Sequence, residues 1–254
     1  MSRGECAAMT ARKLTVVTGG TRGIGAATAL RLAAEGHDLV LGYAADDATA
    51  EATSKQVEDA GARCRTVRAD VTDPEQVEAL FDAAAEAGPV TGLVNNAGAT
   101  LHIGELVDTP TAVIRRVIDL NLTAAVLCAR RALRDMIANG AGTIVNVSSG
   151  AATLGAPGEY VHYAAAKAGV DALTKGLAVE AAPYGVRVNA VAPGIIRTGI
   201  HEAAGEPGRL ERVAPNVPMG RVGEPEEVAA AITWLLGDEC PYATGAVLRV
   251  AGGR

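Results

Sequence analysis

The chain has 254 residues, 49% hydrophobic and 20% charged, with 23 Lys and Arg against 29 Asp and Glu and a net charge of −6. That apolar share excludes bulk disorder, and the acidic balance argues against a nucleic-acid partner, because no excess of cations exists to displace counterions. Aromatic residues are only 3%, so the core must be built from Ala, Val, Leu and Ile.

Residues 1–10 read as a loose tail ahead of one domain over residues 11–254. Lys13–Thr18 (KLTVVT) is a short β-branched run followed at once by glycines, then by a helical pattern over residues 25–35. Residues 38–43 form a second strand and 48–60 a second helix. The alternation continues with strand Cys64–Arg68 and helix 74–87, strand 92–95 and a long helix over 111–138, then strand 143–147 and helix 160–181. Strand 186–191, helix Pro225–Leu236 and strand 246–250 close the chain. Pro74 and Pro225 suit first helical turns. Strands alternating with helices, each almost wholly apolar, predict a Rossmann-type doubly wound parallel sheet of about seven strands in a single domain, with helices on both faces.

Residues 195–223 break the regularity with Gly199, Gly205, Pro207, Gly208, Pro215, Pro218 and Gly220, and are expected to form a substrate lid. The cysteines, Cys6, Cys64, Cys128 and Cys240, lie too far apart for a zinc knuckle or redox pair, and no metal site is expected. No apolar run reaches membrane-spanning length and residues 1–12 lack a signal-peptide stretch, so a cytoplasmic protein without a membrane partner is expected.

The turn after the first strand reads Thr18-Gly19-Gly20-Thr21-Arg22-Gly23-Ile24-Gly25. Glycine allows the tight turn, the close approach of backbone to a pyrophosphate and close helix packing. The helix N-terminus behind it offers free N–H groups and the positive end of its dipole to the anion. Gly19, Thr21, Arg22, Gly23, Ile24 and Gly25 are therefore candidate cofactor-binding residues.

TGGTRGIG resembles the TGxxxGxG pattern of the short-chain dehydrogenase/reductase family in its single-domain form, and the resemblance runs along nearly the whole chain. Asn95-Asn96-Ala97-Gly98 is similar to the family's NNAG. Asn121 in DLNLTA, Ser149 in IVNVSS, Tyr163 and Lys167 as YxxxK, and Pro193-Gly194 fall in the family's order. Residues 242–253 resemble its closing YxTGxxxxVDGG, with Ala251 where the family usually has Asp. Residues 158–177 and the GEPGR at 205–209 resemble a subgroup labelled glucose 1-dehydrogenase-like or 3-oxoacyl-carrier-protein reductase-like. The resemblance implies an oxidoreductase that moves hydride between a nicotinamide and a carbonyl or alcohol carbon of a small molecule. It also implies a homotetramer or homodimer paired through helices carrying Ala124-Ala125 and Ala164-Ala165-Ala166.

Tyr163 and Lys167, four residues apart, share one helix face. A neighbouring ammonium lowers a phenol's pKa, as the charge of an oxidised nicotinamide does, making Tyr163 a workable acid or base. Ser149 closes the fifth strand, at the sheet edge where ligands collect, and is preferred over Ser148 for holding the substrate oxygen. The resemblance adds Lys167 on the nicotinamide ribose and Asn121 holding a water near Lys167. It also places Asp70 and Val71 at the adenine, Asn96, Ala97 and Gly98 along the cofactor, and Ile196 and Thr198 at the nicotinamide amide. Tyr160 has Ala164 four residues on and is set aside as lacking a lysine partner. His162 is read as exposed or substrate-lining, His102 and His201 as bordering the pocket, and Arg197, Arg209, Arg212 and Arg221 as solvated.

An NAD enzyme usually ends its second strand with an acid that bonds the ribose 2′-hydroxyl. Here that place, Leu41-Gly42-Tyr43-Ala44, has none, while Arg22 can present its guanidinium to a 2′-phosphate. NADP(H) is preferred and NAD(H) remains an alternative, since Asp46 and Asp47 follow closely. The rival readings are a non-catalytic nucleotide-sensing module, disfavoured because Tyr163 and Lys167 are both present, and an epimerase or dehydratase, whose usual C-terminal substrate domain the chain lacks.

Overall fold

Seven strands form one sheet in the computed structural model of the chain, which describes residues 12–254. The tail expected at residues 1–10, with Cys6, lies outside them. The strands are β1 (Lys13–Thr18), β2 (His37–Tyr43), β3 (Cys64–Arg68), β4 (Val90–Asn95), β5 (Gly142–Val147), β6 (Val186–Pro193) and β7 (Val247–Val250). They run in the order β3-β2-β1-β4-β5-β6-β7, every neighbouring pair parallel. The helices are α1 (Gly23–Ala34), α2 (Asp47–Asp59), α3 (Pro74–Ala85), α4 (Thr111–Ile118), α5 (Ala124–Asn139), α6 (Ala151–Leu154), α7 (Val161–Ala181), α8 (Arg209–Val213) and α9 (Pro225–Leu236).

Alternate strand residues feed two separate cores, which is why the strands read as unbroken apolar runs. Val16, Leu93 and Ile144 pack with Leu80 and Phe81 of α3, Ala129 and Met136 of α5, and Ala178 of α7. Val17, Val94 and Val145 pack on the other face with Leu32 of α1 and Ile232 and Leu235 of α9. Each such fully buried aliphatic side chain contributes about 1.5–3 kcal/mol. A polar thread crosses the first core: Asn95 Nδ2 donates to Asn146 Oδ1 at 2.9 Å, and Asn146 Nδ2 donates to Thr174 Oγ1 at 2.9 Å. It ties β4, β5 and α7 together.

Local chemistry sets the helix ends. Asp46 caps α2 by accepting from the Thr49 N–H at 3.0 Å, and Asp73 caps α3 ahead of Pro74. Glu224 and Glu227 form a capping box around the first turn of α9, with Pro225 at its start.

Two expectations are corrected. The single helix expected over residues 111–138 is α4 and α5, joined by a π-helical turn at Asp119–Thr123. Asn121 sits there, its Nδ2 donating to the Val117 carbonyl at 2.9 Å, so the widened turn exchanges regular backbone bonding for a side-chain bond. Of the alanines expected to pair subunits, Ala124, Ala164 and Ala166 are buried within this chain, and Ala165 is the one exposed. No helix among the described residues is long and apolar enough to cross a membrane.

Candidate active site

Neighbouring strands β1 and β4 send their chains to opposite faces of the sheet, and a crevice opens past their C-terminal ends. The cavity there has a volume of about 770 Å³ and runs from the glycine turn to the 195–223 segment. Of the site residues expected from sequence, all but Gly25 and Asn121 line it.

The glycine turn has the backbone its composition predicts. Gly19 and Gly23 have φ of +59° and +51°, a region that L side chains avoid. Gly25 lies behind the wall, because a Cβ there would collide with the Gly19 carbonyl and the Asn96 amide. Asn96 Nδ2 donates to the Thr18 and Gly19 carbonyls at 3.0 and 2.9 Å, so its side chain shapes the turn. The N-terminus of α1 opens beside it, with Arg22 exposed at the N-cap position.

At the end of the cavity near β2 and β3, the Asp46 carboxylate is held by both the N–H and the hydroxyl of Thr49, below the usual carboxylate range. Arg22 has no carboxylate within salt-bridge distance among the described residues, whereas Tyr43 donates its phenol proton to Asp47 at 2.8 Å. Asp70 accepts from the Thr72 N–H and hydroxyl and pairs with Arg116 at 2.8 Å; these bonds hold its carboxyl low against the opposing effect of burial. Val71 lies beside it, buried.

At the other end, β5 delivers Ser148 and Ser149, and α7 delivers Tyr163 and Lys167. Ser148 is buried and donates to the Lys167 carbonyl at 3.3 Å. The Ser149 hydroxyl lies beside the Tyr163 phenol, whereas Ser148 is turned to the Lys167 backbone. Lys167 Nζ donates to the Val147 carbonyl at 2.8 Å and lies 5.7 Å from the Tyr163 ring centre. Burial pulls the Lys167 pKa down to about 8.

Burial pushes the Tyr163 phenol upward, Ser149 opposes the rise, and the neighbouring Tyr160 adds to it. Lys167, 5.7 Å from the ring centre, is not among the groups that set this direction; loss of water dominates it. Asn121 is behind the wall: its Nδ2 donates to the Ala99 carbonyl at 2.8 Å, and its buried Oδ1 has no partner. A Cβ on Gly98 would meet Asn121 Oδ1 at 2.6 Å and Lys167 Nζ at 3.4 Å, so the two groups converge over that glycine.

The far wall carries a cluster that motifs do not mark. Arg209 is 1% exposed, paired with Glu159 and with Glu206 at 2.8 Å, and donates to the Tyr160 hydroxyl at 3.0 Å. Its guanidinium lies 5.1 Å over the Tyr160 ring, and that ring meets Tyr163 edge-on at 5.5 Å. Arg212 pairs with the same two carboxylates.

Residues 19–254 match the family model described as enoyl-(acyl carrier protein) reductase. The chain is 45% identical over 245 residues to an uncharacterized oxidoreductase of Escherichia coli, covering 95% of this chain and 99% of the relative. It is 46% identical over 247 residues to a cis-4-hydroxycyclohexanecarboxylate dehydrogenase of Sinomonas cyclohexanicum, covering 96% of each. Among solved structures, levodione reductase matches with a TM-score of 0.89 at 35% identity, covering 95% of this chain and 96% of that one. The chain belongs to the short-chain dehydrogenase/reductase family.

As a short-chain dehydrogenase/reductase the protein is an oxidoreductase acting on hydroxyl and keto groups, and the family's cofactor is NAD(P)(H). The residues present fit such a dinucleotide. The glycine turn leaves a cradle that side chains would fill, and the cavity continues from it to Tyr163.

Four readings of individual side chains change. Arg209 is buried rather than solvated, because two carboxylates compensate its charge. Tyr160, set aside for want of a lysine, is buried and lines the cavity. His162 is neither exposed nor lining; it is buried behind the wall, and burial lowers its pKa. His102 does not line the cavity, whereas His201 does. Glu206 and Arg209, three residues apart, were a sequence signal for one pair of the cluster, whereas Glu159 lies 50 residues away and no spacing marks it.

Proposed function

We propose that the protein is an NADP(H)-dependent reductase of a ketone on a ring-bearing, largely apolar substrate. The observation that carries this reading is the Tyr163 phenol beside the Ser149 hydroxyl, with Lys167 on the same helix face, at the end of a cavity that begins at the glycine turn. Leu154, Ala156, Pro157, Ile195 and Ile200 supply apolar wall. The similarity to an enzyme named for a hydroxycyclohexane carboxylate favours a cyclic alcohol or ketone.

NADP(H) is favoured because Arg22 is free to meet a 2′-phosphate while the Asp46 carboxylate is committed to its helix cap. Tyr43, Asp70 and Val71 would hold the adenosine, Gly19, Thr21, Gly23 and Ile24 the pyrophosphate, and Pro193, Gly194, Ile196 and Thr198 the nicotinamide. The bound dinucleotide supplies the hydride.

Tyr163, kept as a neutral phenol by burial, donates its proton to the substrate oxygen. Ser149 donates a hydrogen bond to the same oxygen and fixes it against the phenol. Lys167 and the converging Asn121 Oδ1 hold a water over Gly98 that returns the proton. Residues 195–223 act as a lid that keeps bulk water out. Subunits pair through the outer face of α7, where Ala165 and Val179 are exposed, giving a homotetramer or homodimer that sedimentation will size.

The test is a fluorescence titration with NADPH and NADH, followed by reduction of cyclohexanone derivatives. Tyr163→Phe should bind NADPH as the parent does and lose turnover by about 10²–10⁴-fold. Undiminished turnover would overturn the assignment of the proton donor. The second reading, an NAD-dependent alcohol dehydrogenase, draws on Tyr43 holding Asp47 near the cavity mouth; tighter binding of NADH would establish it.

A further inference from the structure

Two nitrogen atoms at the lid end of the cavity are unsatisfied. Arg209 Nε and His201 Nδ1 are both buried with no hydrogen-bond partner, on side chains that line the cavity and belong to residues 1% and 8% exposed. Native proteins rarely leave buried polar atoms unpaired unless a ligand or water meets them. The two residues are linked through Glu206, whose N–H donates to the His201 carbonyl at 3.0 Å and whose carboxylate pairs with Arg209 at 2.8 Å; burial, with the Arg209 charge beside it, keeps the His201 imidazole neutral.

The cluster behind them fixes what kind of group fits. Arg209 and Arg212 carry two positive charges, and Glu159 and Glu206 carry two negative charges paired with them. These four charges balance, so the cluster itself offers no surplus cation to an anion; Arg249 and Arg254 line the cavity outside these pairs. What remains is an N–H from Arg209 and a neutral imidazole nitrogen, which together suit an oxygen that accepts one bond and can give another. Arg209 is also clamped: three polar contacts and the Tyr160 ring hold its guanidinium, so little ordering is needed when the oxygen arrives.

We propose that His201 and Arg209 form a subsite for a second, uncharged oxygen of the substrate, a hydroxyl or carbonyl remote from the carbon that reacts. The proposal rests on the carbonyl-reductase reading and narrows its substrate to bifunctional compounds. The polar wall selects an oxygen over a methyl group, because a methyl leaves both nitrogens unpaired in a dry site. It does not select a carboxylate, whose charge finds both arginines already neutralised.

The experiment compares ring ketones that differ only at the distal position and in its reach. The probes are 4-hydroxycyclohexanone, its methyl isostere 4-methylcyclohexanone and 4-oxocyclohexanecarboxylate, together with 4-(4-hydroxycyclohexyl)cyclohexanone and its methyl isostere. At saturating NADPH, at least one hydroxyl ketone should exceed its isostere in kcat/KM by about tenfold, mainly through KM, and the carboxylate should gain nothing. His201→Phe should collapse that ratio towards one, and His201→Gln should restore part of it. Binding of cyclohexanol and of cis-1,4-cyclohexanediol, followed by NMR line broadening in parent and His201→Phe, separates the two readings. Diol preference that depends on His201, without turnover of any ketone, would keep the subsite and overturn the reductase reading. Turnover with no hydroxyl preference in either series, as expected if only water occupies the wall, would overturn the subsite, and so would a preference for the carboxylate.

Discussion

Lys167 is the residue at which burial and function oppose each other most directly. Its unfolded pKa is near 10.5 and its folded pKa is about 8. Between those values the unfolded chain holds more protons, so stability rises with pH across that window. Below pH 8 the fold bears the full cost of a buried ammonium, about 3 kcal/mol for a shift of this size. Lys167→Met should therefore stabilise the cofactor-free protein at pH 7.5 while removing activity, and the gain should fade by about pH 10.5. Urea unfolding at both pH values checks this, and a gain independent of pH would show that the ammonium is not the cause. The Tyr163–Lys167 pair and the glycines were legible in sequence because their geometry is local: four residues on a helix, or one tight turn. His162 and Arg209 were not. His162 is buried by what packs against α7, and Arg209 meets Glu159 across 50 residues of chain, separations that no spacing rule connects.

Among the elements, α7 carries Tyr163 and Lys167, the side chains proposed to react, and its position on the sheet depends on more than apolar packing. Asn146 on β5 links Asn95 on β4 to Thr174 on α7, wholly within the core. Asn146→Ala removes two buried hydrogen bonds and leaves a void, and should cost about 2–4 kcal/mol. The measurement is a lower urea midpoint at unchanged slope, and a loss below about 1 kcal/mol would mean that the thread is dispensable. Element order and nearly all boundaries could be read from the alternation of apolar runs with Gly and Pro. The π-helical turn at Asp119–Thr123 could not, because one extra residue per turn barely disturbs a helical pattern, although it sets the direction of Asn121.

Across the whole molecule, the cavity is bordered by residues from both halves of the sheet, with Gly19, Tyr43 and Asp70 on one side and Ser149, Tyr163 and Gly194 on the other. A ligand filling it joins the two halves, so its binding energy adds to global stability. At one hundred times its dissociation constant NADP+ should add about 2.7 kcal/mol, or about 5–11 °C in Tm. NAD+ at the same concentration should give a smaller rise, and equal rises would remove the preference assigned to Arg22.

The first residues of the 195–223 segment, the proposed lid, do not hang free. Thr198 sits over Gly23, so close that a Cβ on that glycine would lie 3.2 Å from its Cγ2, and Ile196 is joined to Gly223 by a backbone bridge. The segment proposed to roof the substrate is thus seated on the glycine turn proposed to receive the pyrophosphate. On that reading the dinucleotide would bind before the ketone and leave after the alcohol, and the lifting of Thr198 from Gly23, rather than proton transfer, would pace steady-state turnover.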